Sequence, residues 1–282
     1  MVQPPVTYGL TQRPPRGDYS TARDDYTCEQ AWDRYSPAQH QLYARLFERQ
    51  SRLVHGRACG EYLQALPQLG SGRAIPRFEE LSARVHASTG WSIVAVPGLI
   101  PEEAFFQLLA ARRFPVTVWL REPDEFDYIV EPDLFHDLFG HVPLLFDPMF
   151  ADYMQAYGQG GLKAQRRNAL ELLSRLYWYT VEFGLIDTSD GLRAYGAGLM
   201  SSPGEINHCL SGAGTLRIGF DLRRVLRTAY EIDDYQKTYF VIDSFAQLFN
   251  ETGQDFTPIY EEVFRLPGCR PDRSAEGDRL FG

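Results

Sequence analysis

The sequence predicts a mostly α-helical single domain with small β-sheets at its edge. Three observations carry that expectation. Helix-start signals recur along the whole chain. Only three short apolar runs read as strands, and they do not alternate with helices as a doubly wound sheet requires. The 282 residues, 44% hydrophobic and 13% aromatic, suffice for a sizeable core, and no linker or composition break divides them.

Residues 1–25 are polar and rich in Pro, Arg and Asp, and read as a flexible N-terminal arm. Ser36-Pro37-Ala38-Gln39 is a capping-box start with proline in the first turn, opening a helix that runs to Val54. Pro76 to Ser88 reads as a helix closed by Gly90. Ile93 to Val96 is a strand stopped by Pro97-Gly98. Pro101-Glu102-Glu103 opens another helix, with acids where the helix dipole favours them. Pro115 to Leu120 is a second strand. Helices follow over Asp147–Tyr157 and over the leucine-rich run Ala164–Gly184. Leu222–Tyr230 and Ser244–Asn250 read as helices, with a strand at Tyr239–Ile242 between them. Residues 266–282 resemble the arm in composition and read as a flexible tail, leaving one compact domain over 26–265.

The formal net charge of −9 argues against a nucleic-acid partner. No apolar run approaches the roughly 20 residues that span a bilayer, so no membrane role is expected. The start lacks the apolar stretch of a secretory signal. Four scattered cysteines without a Cys-x-x-Cys pair read as free thiols in a reducing cytoplasm.

Two of the six histidines, His136 and His141, fall in the segment EPDLFHDLFGHVPLL (131–145). Residues five apart sit about 140° from each other on an ideal α-helix, so both cannot share one face of an unbroken one. Gly140 reads as a helix stop and Pro143 cannot continue the helix. The expectation is therefore that His136 lies on the last turns while His141 swings back from chain that has left the helix. The spacing rejects the His-Glu-x-x-His pattern of zinc proteases. A third candidate is Glu182, whose helical neighbours Trp178 and Tyr179 make a costly place for an unpaired carboxylate. It needs a cation, either an arginine such as Arg175 or a metal. Two histidines and one carboxylate form the facial triad of non-haem iron(II). The pattern alone leaves iron and zinc undecided, and a binding module with core histidines stays open as well.

The segments EPDLFHDLFGHVPLL (131–145), LYWYTVEFGL (176–185) and YGAGLMSS (195–202) resemble the aromatic amino acid hydroxylases, the tetrahydropterin-dependent iron enzymes. TGWSIVAVPGLIPEEAFF (89–106) and RRFPVTVWLREP (112–123) are similar to the same family, above all to its short bacterial phenylalanine 4-hydroxylases. The resemblance runs from about Tyr26 to about Tyr260. It implies that His136, His141 and Glu182 hold iron(II). It implies that Gly98, Leu99 and Ile100 line the pterin through their backbone, with Phe105 stacking on its ring. Asp137 takes a position near the pterin commonly held by glutamate, one methylene shorter here. Arg121, oriented by Asp133, is implied to grip the substrate carboxylate. Trp178 and Ser201 are implied to line the substrate pocket, and Tyr177 to lie near iron and pterin, where with Glu182 it takes part in catalysis.

The reaction so implied is hydroxylation of L-phenylalanine to L-tyrosine with O2 and a tetrahydropterin, either tetrahydrobiopterin or tetrahydromonapterin. Ile232 stands where tyrosine-hydroxylating members carry aspartate, and an apolar residue there favours the plain phenyl ring. Hydroxylation of tyrosine or tryptophan is the alternative within the family, and a zinc-dependent hydrolase the alternative outside it. The length leaves room for the catalytic domain alone, so a cytoplasmic monomer is expected.

Overall fold

The computed structural model describes residues 15–232 and 234–282. Helices dominate, accompanied by a two-stranded and a four-stranded sheet.

Helix α1 (Pro37–Val54) starts at Ser36, whose hydroxyl accepts the Gln39 N–H while the Gln39 side chain accepts the Ser36 N–H. This reciprocal cap satisfies two donors that the helix itself leaves unpaired. α1 buries Leu42, Tyr43, Leu46, Gln50 and Val54 along one face. A short α2 (Gly60–Ala65) follows, and α3 (Phe78–Thr89) ends on the left-handed Gly90. Strand β1 (Ser92–Val96), α4 (Glu102–Ala110) and β2 (Arg113–Thr117) form one β-α-β unit. β1 and β2 pair in parallel, Ser92 opposite Arg113 and Val96 opposite Thr117. The second strand thus starts and ends earlier than the apolar run suggests. Beyond Thr117 the chain turns aside, and the Trp119 carbonyl accepts the Leu134 N–H.

Helix α5 (Pro148–Gln165) does not stop at Tyr157 but continues through three glycines. At Gly158 the reason is a close crossing with α4, since a Cβ there would lie 2.5 Å from the Ala110 backbone nitrogen. The single long helix expected from Ala164 to Gly184 is instead broken at Asn168, which adopts φ 54°. The chain restarts as α6 (Leu170–Tyr177) and then widens into a π-helical turn, Trp178–Glu182.

Next come β3 (Leu185–Thr188), β4 (Gly191–Ala194), α7 (Ala197–Ser201) and α8 (Glu205–Ser211). They are followed by β5 (Leu216–Gly219), α9 (Leu222–Arg227), β6 (Thr238–Ile242), α10 (Phe245–Thr252) and α11 (Thr257–Val263). The sheet order is β4-β3-β6-β5, with β3 and β4 antiparallel and β6 parallel to both β3 and β5. All five residues of β6 are buried, as befits an interior strand.

The two chain ends depart from the flexible segments expected for them. Residues 1–14 of the arm lie outside the described residues, but 15–25 are packed. The buried Tyr19 donates its hydroxyl to the Leu99 carbonyl at 2.7 Å, and Arg16 pairs with Glu125. Residues 266–282 fold back over α9 and β5. Cys269 bridges to Thr228 and Leu280 to Ile218, and Arg224 forms a buried ion pair with Asp278. Polar composition hid these contacts because backbone and side-chain hydrogen bonds and the ion pairs Arg224–Asp278 and Arg279–Asp243 hold most of the segment, with Phe281 its one side chain packed on the core. Among the described residues no helix is long and apolar enough to cross a membrane. All four cysteines are free.

The α4–α5 crossing gives a test. Gly158→Ala adds a methyl against backbone that cannot rotate away, so overpacking should outweigh the gain in helix propensity. We expect a loss of about 1–3 kcal/mol, seen as a lower urea midpoint at unchanged slope. An unchanged or raised midpoint would contradict the packing described.

Candidate active site

His136 and His141 meet by a route the sequence did not suggest. The chain does not leave a helix at Gly140. His136–His141 is a single π-helical turn, which runs on into a 3-10 turn at Val142–Phe146 with Pro143 near its start. In a π turn the hydrogen bonds run from residue i to i+5, so residues five apart come into line. Gly140 serves packing and not termination, because a Cβ there would lie 2.8 Å from the Ala197 carbonyl oxygen at the start of α7. That close approach brings Ser201, at the other end of α7, to 2.8 Å from His136 Nδ1. Such a contact fixes the ring and points Nε2 the other way.

Glu182 ends the second π turn and faces both rings. Its carboxylate oxygens lie 3.1 Å from His141 Nε2 and 3.6 Å from His136 Nε2. The two Nε2 atoms are 3.2 Å apart. Arg175, the other candidate partner for Glu182, is engaged with Glu171 and with the Leu226 carbonyl.

These three side chains are the only such His/Cys/Asp/Glu cluster found among the described residues. Two imidazole nitrogens and a carboxylate oxygen aimed at one point are an acceptor-rich set that a cation satisfies. Ligands at right angles on bonds of about 2.1 Å would stand about 3 Å apart, close to the spacings seen. Burial lowers the His136 pKa to about 4, so its imidazole is neutral and able to ligate. Burial also acts to raise the Glu182 pKa, but His141 and His136 outweigh it and hold the carboxyl below its ordinary value. Two nitrogens and one oxygen fit a facial triad with its remaining positions open.

Other side chains surround the cluster. The Tyr177 ring lies between the His141 ring at 6.2 Å and the Phe105 ring at 5.8 Å, and so links α4 to the histidines. Asp137 is buried, and its carboxylate accepts the Thr117 N–H at 2.7 Å at the end of β2. Burial pushes its pKa up to about 7, against the opposing pull of His141. Gly98, Leu99 and Ile100 form the turn after β1, and Tyr19 holds the Leu99 carbonyl.

Arg121 and Asp133 form a buried two-point ion pair. Arg121 Nε and Nη2 donate to the two carboxylate oxygens at 2.8 and 2.9 Å. The Asp133 carboxylate also accepts the backbone N–H groups of Arg121 and His136, so it ties the arginine to the first residue of the π turn. Trp178 opens the second π turn, stacks on Tyr230 at 4.4 Å and donates Nε1–H to Gln236. Ile232 is half-buried two residues beyond Tyr230.

Residues 25–266 match the family model described as biopterin-dependent aromatic amino acid hydroxylase. The chain belongs to that family. It is 56% identical over 265 residues to the phenylalanine-4-hydroxylase of Ralstonia nicotianae, covering 94% of this chain and 85% of the relative. It is 57% identical over 241 residues to that of Chromobacterium violaceum, covering 85% and 81%. A crystal structure of the Chromobacterium violaceum phenylalanine hydroxylase bound to cobalt superposes with a TM-score of 0.90 at 53% identity, covering 92% of this chain and 94% of that one. The mostly helical fold with small sheets is thus that of a hydroxylase catalytic domain.

Several residues that hold the side chains described above had no signal in the sequence. Thr117, Tyr19, Tyr230 and Gln236 each reach them from another element. Their partners lie 20 to 80 positions away, and nothing local marks a threonine N–H or a glutamine amide as one end of such a tie.

Asp133 makes the electrostatics testable. Burial acts to raise its pKa, yet the Arg121 guanidinium together with the backbone N–H groups of His136 and Arg121 outweighs burial and holds the carboxyl below its ordinary value. A depressed folded pKa adds stability above the unfolded value near 4, and that stability is lost as pH falls through the folded pKa. Asp133→Ala should cost about 3–5 kcal/mol at pH 7 by stranding Arg121. The gap to wild type should shrink as the pH is lowered below about 4. A gap that stays constant down to pH 2 in urea titrations would refute the pairing as its source.

Proposed function

We propose that this chain is a phenylalanine 4-monooxygenase, converting L-phenylalanine to L-tyrosine with O2 and a tetrahydropterin at an iron(II) centre held by His136, His141 and Glu182. The convergence of these three donors beside the Tyr177–Phe105 pair, in a member of this hydroxylase family, carries the proposal. The relatives named phenylalanine-4-hydroxylase support the choice of substrate.

Bound together, iron(II) and the reduced pterin supply the activation of dioxygen, and the protein supplies ligation, orientation and dryness. Ser201 keeps His136 turned toward the metal. Phe105, next to Tyr177, would offer the pterin an aromatic partner, and the Gly98–Leu99–Ile100 backbone would help to hold it. Asp137, fixed on Thr117 one residue after His136, would lie near the bound pterin. Either tetrahydrobiopterin or tetrahydromonapterin suits this arrangement, because both present the same ring. Arg121 keeps Nη1 outside its pair with Asp133. That side of the guanidinium takes the substrate carboxylate. Trp178 and Ile232 surround the phenyl ring with apolar surface.

The test is direct. Purified protein should form tyrosine from phenylalanine only when ferrous iron, O2 and a tetrahydropterin are all present. His136→Ala, His141→Ala and Glu182→Ala should each lose bound iron by metal analysis and turnover with it. Tyrosine formation that survives a strong chelator would sink the proposal. Phenylalanine, tyrosine and tryptophan offered together would show which ring is taken.

Arg121→Lys separates the two ligands. A point charge cannot reproduce the guanidinium fork, so the KM for phenylalanine should rise about 10-fold or more while that for the pterin changes little. Equal rises for both would place Arg121 elsewhere.

A further inference from the structure

We infer that Gln236 is a positioning residue that fixes the Trp178 indole relative to the loop carrying Ile232, and thereby sets which aromatic ring the pocket accepts. The inference rests on the function proposed above and goes beyond it in naming what holds the pocket wall.

Gln236 is 3% exposed, although Tyr235 beside it is 48% exposed. It therefore sits at the buried foot of an exposed loop. Its amide oxygen accepts the Trp178 indole N–H at 2.8 Å. Its amide nitrogen donates to the carbonyls of Glu231 at 2.8 Å and Asp234 at 3.3 Å, which flank Ile232 in sequence. One side chain thus ties the Trp178 indole to the backbone on either side of Ile232. Only a primary amide can do this, because it alone offers an acceptor and two donors on one planar group.

Gln236 is itself held from beneath. Its backbone N–H donates at 3.0 Å to a carboxylate oxygen of Glu205, and the same oxygen accepts the Tyr239 hydroxyl of β6 at 2.8 Å. Glu205, on α8, is buried. The indole is further confined by Tyr230 stacked at 4.4 Å and by Phe183 at 4.7 Å. The Tyr230 stack holds the start of the loop on the indole, but beyond it the exposed chain has little packing of its own. The buried amide anchors that part through the Glu231 and Asp234 carbonyls. Without these two bonds the chain beyond Tyr230 moves outward more easily and admits a larger bicyclic ring.

The experiment compares kcat/KM for phenylalanine and tryptophan in the iron-loaded enzyme with tetrahydropterin. Gln236→Ala should raise the tryptophan-to-phenylalanine ratio about 10-fold, mainly through a higher KM for phenylalanine. Gln236→Glu keeps the acceptor for Trp178 but loses both donors, and should move the ratio in the same direction by less. It also carries the test if the alanine variant does not fold. Glu205→Gln retains an acceptor oxygen and should preserve the ratio, whereas Glu205→Ala should not. Hydrogen exchange gives a readout independent of turnover: amides of residues 231, 232 and 234–236 should exchange about 10-fold faster in Gln236→Ala, with those over 133–141 unchanged. A common drop for every substrate at a constant ratio, or unchanged exchange in the loop, overturns the inference. If wild type prefers another ring, the proposed function fails on its own, and the exchange and the shift away from the preferred ring still decide the role of Gln236.

Discussion

The site depends on a helix that widens without breaking. In an α-helix His136 and His141 would face directions about 140° apart, and no rotamer choice would aim both rings at one point. The π turn removes that conflict by bringing residues five apart into line. A second π turn does the same service for the carboxylate, carrying Glu182 past the end of α6 and round to the histidines. Both turns are poorer in hydrogen-bond geometry than the α-helix they replace. What holds them is packing: Leu138 and Phe139 in the first, Tyr179 and Val181 in the second, all buried. The metal-binding geometry is therefore maintained by the core, and its stability is inseparable from that of the fold.

Elements with local chemical punctuation were legible in the sequence. Ser36 and Gln39 announce α1 by their own reciprocal bonds, and Gly90 ends α3 because a left-handed residue is needed there. Elements defined by neighbours were not. Gly158 reads as a breaker in isolation, yet inside α5 it is the residue that lets α4 approach. β3, β4 and β5 are four residues each, too short for an alternation to show, and they exist because neighbours offer them partners, β6 to β3 and β5, and β3 to β4. The tail at 266–282 looks disordered by composition, but Arg224 and Asp278 pair across 54 positions to hold it.

The candidate site divides in the same way. The three donors stood out because histidines are few and a carboxylate among aromatics needs a cation. The polar ties that aim them did not stand out, since Ser201 to His136 and Thr117 to Asp137 join residues 65 and 20 positions apart. Resemblance to known hydroxylases placed Ser201 on the pocket wall. The structure adds that its hydroxyl faces the ring nitrogen of His136. Gly140 shows the inverse error, where a residue read as a local stop proved to be a tertiary contact with Ala197.

The Arg121–Asp133 pair carries this reasoning into recognition. Alone, a buried guanidinium would attract any anion and would be costly to desolvate. Paired with Asp133 the unit is close to neutral, so long-range charge contributes little to its pull on a ligand. What remains is the direction of the Nη1 N–H groups, which lie outside the pair and are set by two bonds to one carboxylate. Under the proposed function, recognition by such a unit would be geometric: it would reward a planar carboxylate at one place and angle more than negative charge. The same carboxylate also accepts the His136 N–H. The point where an amino acid's carboxylate would be gripped and the turn that presents the first metal ligand are thus anchored to one buried group. A change in either is felt by the other without any moving part between them.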